Sequence, residues 1–333
     1  MFNSCAIKTI LKYLSYIPEN SIKSLRGHNM IVKLQGGDYT ALINTERGAN
    51  CISLRNSRYN AKILREPDTT GALDNPYLYG MPILYPVNRI SGGVFEFEGR
   101  TYKFPINEPE TNCHLHGLLH CTEFEMTERG EDFVRCVFEK PYLDFSHNFR
   151  IEILYRLSED GLEHKTRITN LSDTNMPNFL GYHITFKIPF LSDSAMEDIR
   201  LFAEVGDEIE RDTKYLPTGR VLPNNDITDR IRAGKFMPFE KIISRNYKAE
   251  NSGRIELRDI KRNIKLVYEN DEKFGWRLFY NGNADEYICL EPMTCMANCQ
   301  NSPFDRDYAG FDFIPPHSSK EYISKIYLKE ESV

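Results

Sequence analysis

The sequence predicts an all-β protein: a large antiparallel β-sandwich with a short amino-terminal helix. Three observations lead there. Short runs rich in β-branched and aromatic residues recur along most of the chain, separated by clusters of Gly, Asn, Asp and Pro. Several runs meet at tight-turn dipeptides, as in VFEFEGRTYKF around Glu-Gly and NFRIEILYRLSEDGLEHKTRITNLSD around Asp-Gly, which implies consecutive hairpins. Composition leans the same way, with 20 Phe, 19 Tyr and 17 Pro among 333 residues.

Taken in order, the first element is helical. Ile7, Ile10, Leu11, Leu14 and Ile17 recur at helical spacing and PENS follows as a stop, predicting a helix over residues 5–17. It belongs to an extension of residues 1–27 ahead of one domain, 28–333, because no linker composition divides the rest. From HNMIVKLQGGDYTALINTERGANCISLRN onward strands dominate, including FVRCVFEK and the hairpin FGWRLFYNGNADEYICL around Asn-Gly-Asn. Residues 191–255 are the least regular, and KYLPTGRVLPNNDITDRIRAGKFMPFEKIISRNYKAENSG reads as long loops with a short helix bordering a site. No strand–helix–strand alternation, GxGxxG or P-loop is present, which disfavours a doubly wound nucleotide-binding fold.

Whole classes of function drop out. A formal net charge of −6 lacks the cationic footprint that displaces counterions from nucleic acid. No apolar run approaches the ~20 residues of a membrane helix. Lys8 and Lys12 interrupt the amino-terminal apolar residues, and no small-residue cleavage site follows, so no signal peptide is expected. The 8 cysteines are scattered without a CxxC, as free thiols in a reducing cytoplasm would be, and a cytoplasmic protein is expected.

Candidate chemistry lies on strand faces, since side chains alternate along a strand. In NFLGYHITFKI, Leu180, Tyr182, Ile184, Phe186 and Ile188 form an apolar face, while Phe179, Gly181, His183, Thr185 and Lys187 form the other. His183 is thus expected to point into solvent or a cleft. In NADEYICLEPMT, Tyr287, Cys289 and Glu291 share a face, and Pro292 is expected to end the strand, leaving Glu291 at its edge. NCHLHGLLH puts Asn112, His114 and His116 on one face if it is extended, with Gly117 permitting close approach. A metal site there would need a third ligand, and none stands at a familiar spacing, so no metal and no cofactor are expected. His114 reads as structural and His120 as a surface or turn residue. Tyr77, Tyr79 and Trp276 could stack on a ligand, but aromatic residues in a β-rich chain are assigned to the core.

In order along the chain, PVNRI, GGVFEFEGRTYKF, Asn107, LHG, YH, LPTGR, and CLEPMT with Asn298 resemble the aldose 1-epimerase (galactose mutarotase-like) family over roughly residues 28–330. The resemblance implies a carbohydrate cleft on the concave sheet of a β-sandwich and interconversion of the α and β anomers of an aldose. It makes Glu291 the general base, His183 the general acid and His116 a second cleft histidine, with Arg89 and Asn88 of PVNRI contacting substrate. The partner it implies is a small-molecule sugar. The chain departs from the family pattern at Leu118 after LHG and at Ile184–Ile188 after His183, and has no matching aspartate motif before Trp276.

These residue types suit the reaction. Opening a cyclic hemiacetal removes a proton from the anomeric hydroxyl and delivers one to the ring oxygen, which one carboxylate and one imidazole can do. Two alternatives share the scaffold: a hexose-phosphate 1-epimerase, for which Lys187 and Arg220 could supply cations, and a carbohydrate-binding or sensing protein without turnover. A metal-dependent sandwich enzyme using His114 and His116 is a third.

Overall fold

The computed structural model describes residues 31–67, 75–251, 253–282 and 286–331; the helix expected over residues 5–17 and the 1–27 extension lie outside them. The described chain is mostly strand, and the strands pair antiparallel. One eight-stranded sheet runs, in spatial order, through Glu125–Arg129, Phe133–Phe138, Phe149–Ser158, Gly161–Asn170, Ser319–Glu330, Ile264–Asn270, Ile255–Asp259 and Ile199–Ala203. The second runs through Pro217–Val221, Val205–Arg211, Ser244–Ala249, Trp276–Tyr280, Tyr287–Met293, Gly181–Tyr182 and Ile83–Leu84, with Ile184–Lys187 also pairing to Tyr287–Met293. A four-stranded sheet, Ile31–Lys62, joins the same core.

The hairpins read from the sequence are present because their turns have the required backbone. Glu98 and Gly99 both take positive φ (48° and 74°) between the paired residues Phe97 and Arg100, the two-residue geometry whose twist matches that of the strands. The long hairpin Phe149–Ser158/Gly161–Asn170 stays in register from Phe149↔Asn170 to Ser158↔Gly161, and its buried and exposed positions alternate. That alternation carries the packing. Tyr182 and Phe186 of the second sheet meet His164 (ring centroids 4.5 Å) and Tyr268 (5.7 Å) of the first, within one continuous apolar cluster. Burial at about 25 cal/mol per Å2 of apolar surface makes this layer the main source of stability.

Residues 191–255 differ from the expectation of loops. They hold Ile199–Ala203, Val205–Arg211, Pro217–Val221 and Ser244–Ala249 as strands, beside the expected short helix, Asp226–Arg232. Register shifts at Val205/Glu208 and Ile209/Arg211 break the two-residue alternation by which strands are recognised. Asn225 caps the helix by accepting from the Thr228 amide at 3.2 Å.

Pro292 does not end its strand. Tyr287–Met293 continues through it, paired Arg277↔Pro292, so Glu291 sits inside the sheet rather than at its edge. The seven described cysteines are unpaired, and no described helix is long and apolar enough to cross a membrane.

Candidate functional site

Strand register brings the two predicted residues together. Gly181 pairs with Met293 and Ile184 with Leu290, which sets His183 directly opposite Glu291 on neighbouring antiparallel strands. His183 Nε2 lies 3.2 Å from Glu291 Oε1. The strand is interrupted at His183, whose amide leaves the ladder to donate to the Pro82 carbonyl at 3.0 Å. The face sorting holds, but the polar face is not open to solvent: His183 is 6% exposed and Glu291 1%.

The third member arrives through a bend. Residues 112–118 are not extended throughout; only Cys113–Leu115 is strand, bounded by left-handed Asn112 (φ 56°) and His116 (φ 63°). The bend separates the two histidines. His114 donates from Nδ1 to the Pro105 carbonyl at 2.7 Å and packs on Phe104, as a structural residue does. His116 turns toward the other two, so that one ligating atom from each of His116, His183 and Glu291 lies within 4.8 Å of the others in a buried cluster. Gly117 (φ 64°) permits the bend, since a Cβ there would overlap the Tyr85 carbonyl. Asn107 clamps the loop, donating to the Leu115 carbonyl at 2.8 Å and accepting its amide at 2.6 Å.

Asn88 sets the His116 tautomer. Its backbone N–H donates to His116 Nδ1 at 3.2 Å, and a backbone amide can only donate, so a neutral ring carries its proton on Nε2. An Nε2–H is a hydrogen-bond donor and has no lone pair for a metal ion. The three-residue cluster therefore fits a proton-transfer site better than a cation cage.

Arg89 is engaged already: Nε and Nη2 each lie 2.6 Å from a Glu108 carboxylate oxygen, a bidentate and mostly buried pair. His120 is a turn residue, as one of its two readings had it, but not a surface one. It is buried in the turn Leu119–Cys121, its ring 4.6 Å from that of Tyr77. Tyr77 covers the histidines, lying 4.9 Å from His116 and 5.9 Å from His183. Trp276 packs on Tyr308 as a core residue, and Tyr79 lies over Arg65.

Burial decides the protonation of the pocket. It pushes Glu291 up to about 8, against the opposing pull of Arg211 and then Arg89, and it pushes His183 down to about 4. His116 is held well below its usual value, by burial first and then by His183 and Arg89. Glu291 Oε2 has no hydrogen-bond partner among the described residues, which leaves the carboxyl with unused capacity.

Sequence reasoning missed Tyr77 as the cover of the histidines, Glu108 as the partner of Arg89, and Arg211 with Tyr215 beside Arg89. Arg89 lies over the Tyr215 ring at 4.7 Å and Arg211 at 5.7 Å. A pairing 19 residues apart and a bulged strand leave no local pattern to read.

Residues 30–311 match the model of the aldose 1-epimerase family. A galactose mutarotase-like protein of Clostridium acetobutylicum is 28% identical, superimposes with a TM-score of 0.84, and the match covers 90% of this chain and 95% of that one. A putative aldose 1-epimerase of Escherichia coli K12 has the same fold at 17% identity (TM-score 0.75; 90% and 99% covered). The uncharacterized protein YihR of Escherichia coli K12 is 22% identical over 295 residues, 87% of this chain and 92% of its own.

Proposed function

Since the chain belongs to the aldose 1-epimerase family, we propose that it interconverts the α and β anomers of an aldose, with Glu291 and His183 as the proton-transferring pair and His116 as a donor to the sugar. The observation that carries this reading is the direct opposition of His183 and Glu291 at 3.2 Å. The two oxygens that exchange protons in the reaction, the anomeric hydroxyl and the ring oxygen, hang on one carbon. Donor and acceptor must therefore converge on almost the same point, as these two side chains do.

The pair holds one proton between its members at neutral pH. Burial favours placing it on the Glu291 carboxyl beside a neutral His183 in the free protein. A bound sugar hydroxyl that donates to the carboxyl oxygen favours moving that proton to His183, giving carboxylate and imidazolium. The carboxylate then takes the anomeric hydroxyl proton while His183 delivers its own to the ring oxygen. The C1–O5 bond breaks and C1=O forms. Rotation about C1–C2 and closure with the transfers reversed give the other anomer, with every proton accounted for. His116 Nε2–H and the Arg89 edge would orient the ring.

The phosphorylated-sugar alternative loses the cations from which it was argued: Lys187 lies 2.7 Å from a Glu286 oxygen, and Arg220 is bonded to Glu210. The binding-only alternative differs by rate alone. Polarimetry of freshly dissolved α-anomers of several aldoses, with and without the protein, tests the proposal. Glu291→Gln and His183→Ala are each expected to lower turnover ~10²-fold or more. The rate should be bell-shaped in pH, falling below about 4, where His183 takes a second proton, and above about 8, where the pair loses its only one. A protein that binds sugar yet leaves equilibration unaccelerated would defeat the enzymatic reading.

A further inference from the structure

The charges around Glu291 do not cancel. Facing it are His183 and His116, Arg89 with its partner Glu108, Arg211, the phenols of Tyr280 and Tyr215, and the Cys289 thiol of its own strand. Burial favours the neutral form of both imidazoles, the Tyr280 phenol and the thiol, and Glu108 neutralises Arg89. Arg211 is different. Its guanidinium donates from Nη2 to the Ser244 carbonyl and hydroxyl, two uncharged acceptors, and no carboxylate lies within ion-pair distance of it among the described residues. Glu208, on the same strand, is taken: both its oxygens bond Arg245, and one also accepts from Asn225 and Thr228.

Tyr215 keeps this cation in place. Its ring lies over both Arg89 and Arg211 at the end of the Val205–Arg211 strand. Its backbone is left-handed (φ 61°), a strained conformation for an aromatic residue. Asp212 maintains it: the carboxylate accepts the Lys214 and Leu216 amides at 2.8 and 2.9 Å, and the Asp212 carbonyl accepts the Tyr215 amide at 2.9 Å. The ring is nonetheless 45% exposed, so core packing does not account for this arrangement.

We propose that Arg211 is a positioning residue of the pocket: an uncancelled cation, fixed by Ser244 and roofed by Tyr215, that favours the carboxylate form of Glu291 and offers its remaining N–H groups to an oxygen of the bound sugar. Strand register brings the two together: Ser244, which holds Arg211, pairs with Tyr280, and Tyr280 pairs with Cys289, two residues from Glu291 on the same face of its strand. The electrostatics agree in sign, since Arg211 opposes the effect of burial on Glu291 and stays charged at neutral pH although burial lowers it to about 10. The sugar contact rests on the pocket being an aldose site; the effect on Glu291 does not.

The experiment follows the Glu291 carboxyl directly. With 13C-labelled glutamate, the Glu291 signal is assigned by its loss in Glu291→Gln and titrated in the parent, Arg211→Met and Arg211→Lys. In Arg211→Met the midpoint is expected to rise by about one pH unit, with Arg211→Lys close to the parent. In mutarotation assays KM should rise about tenfold in Arg211→Met, with kcat at about pH 6, where the pair holds its one proton in both proteins, changed much less, as expected for a lost uniform contact. If Arg211→Met does not fold, Arg211→Gln carries the same comparison. A folded charge-deleted variant whose Glu291 midpoint matches the parent's overturns the proposal. A parent that equilibrates no aldose defeats the mutarotase reading alone, because the titration still decides the influence of Arg211 on Glu291.

Discussion

Two glutamates are buried in the same sheet and treated in opposite ways. Glu208, in the Val205–Arg211 strand, is 8% exposed and saturated: Arg245 Nη1 lies 2.8 and 2.6 Å from its two oxygens, with Asn225 and Thr228 completing the shell. Glu291, in the Tyr287–Met293 strand, is 1% exposed and has a single neutral-capable partner, His183, with Oε2 unpartnered. The first arrangement is complete in itself. The second leaves a buried carboxyl oxygen without a hydrogen-bond partner among the described residues, which folding alone does not require. The difference marks Glu208 as a completed ion pair and Glu291 as the candidate for chemistry on the same sheet.

The contrast predicts opposite responses to removing charge. Arg245→Met should be the most damaging change, because it leaves the Glu208 carboxylate buried without a counter-charge; such losses cost about 3–5 kcal/mol. Denaturant titration would measure it. A variant as stable as the parent would show that Glu208 is not held as a structural ion pair.

Glu291→Gln should do the reverse. A carboxyl whose folded value is raised by burial contributes its full stability below its unfolded value of about 4.3, and loses it as pH rises to about 8. Gln has no such loss. The variant is therefore expected to match the parent in thermal melts near pH 4.5 and to melt a few degrees higher at pH 8, while losing turnover. A parent that outlasts Glu291→Gln at pH 8 would mean that the carboxylate is stabilised in the fold after all.

What could be read from the chain follows how local each signal is. Hairpins such as Phe149–Ser158/Gly161–Asn170 are written in contiguous residues, turn included. The face shared by Tyr287, Cys289 and Glu291 was equally legible, because alternation is a local property. That His183 stands across from Glu291 was not, since it depends on the register of two strands 108 positions apart in sequence, and only the family resemblance linked them. His116 was expected on the face of His114, but two left-handed residues turn it elsewhere, and neither Asn112 nor His116 announces that conformation. Arg211 and Tyr215 stood in a segment whose bulges hide its strands.

The smallest expected effect tests that bend. His114 and His116 are two residues apart, and an extended strand would give them the same surroundings, whereas the structure gives His114 a carbonyl and an aromatic neighbour and gives His116 the pocket. His114→Phe removes the hydrogen bond to Pro105, a cost of about 1 kcal/mol, and also removes a buried Nε2 that has no partner among the described residues, which offsets part of it. Its melting temperature should move by a degree or two and its mutarotation rate by less than about twofold. His116→Phe keeps a ring of similar size but deletes the Nε2–H that the Asn88 amide fixes by donating to Nδ1, so its rate should fall about tenfold or more at similar stability. Equal losses of rate in the two variants would mean that both imidazoles serve the pocket, and the left-handed turn at His116 would then have no functional consequence.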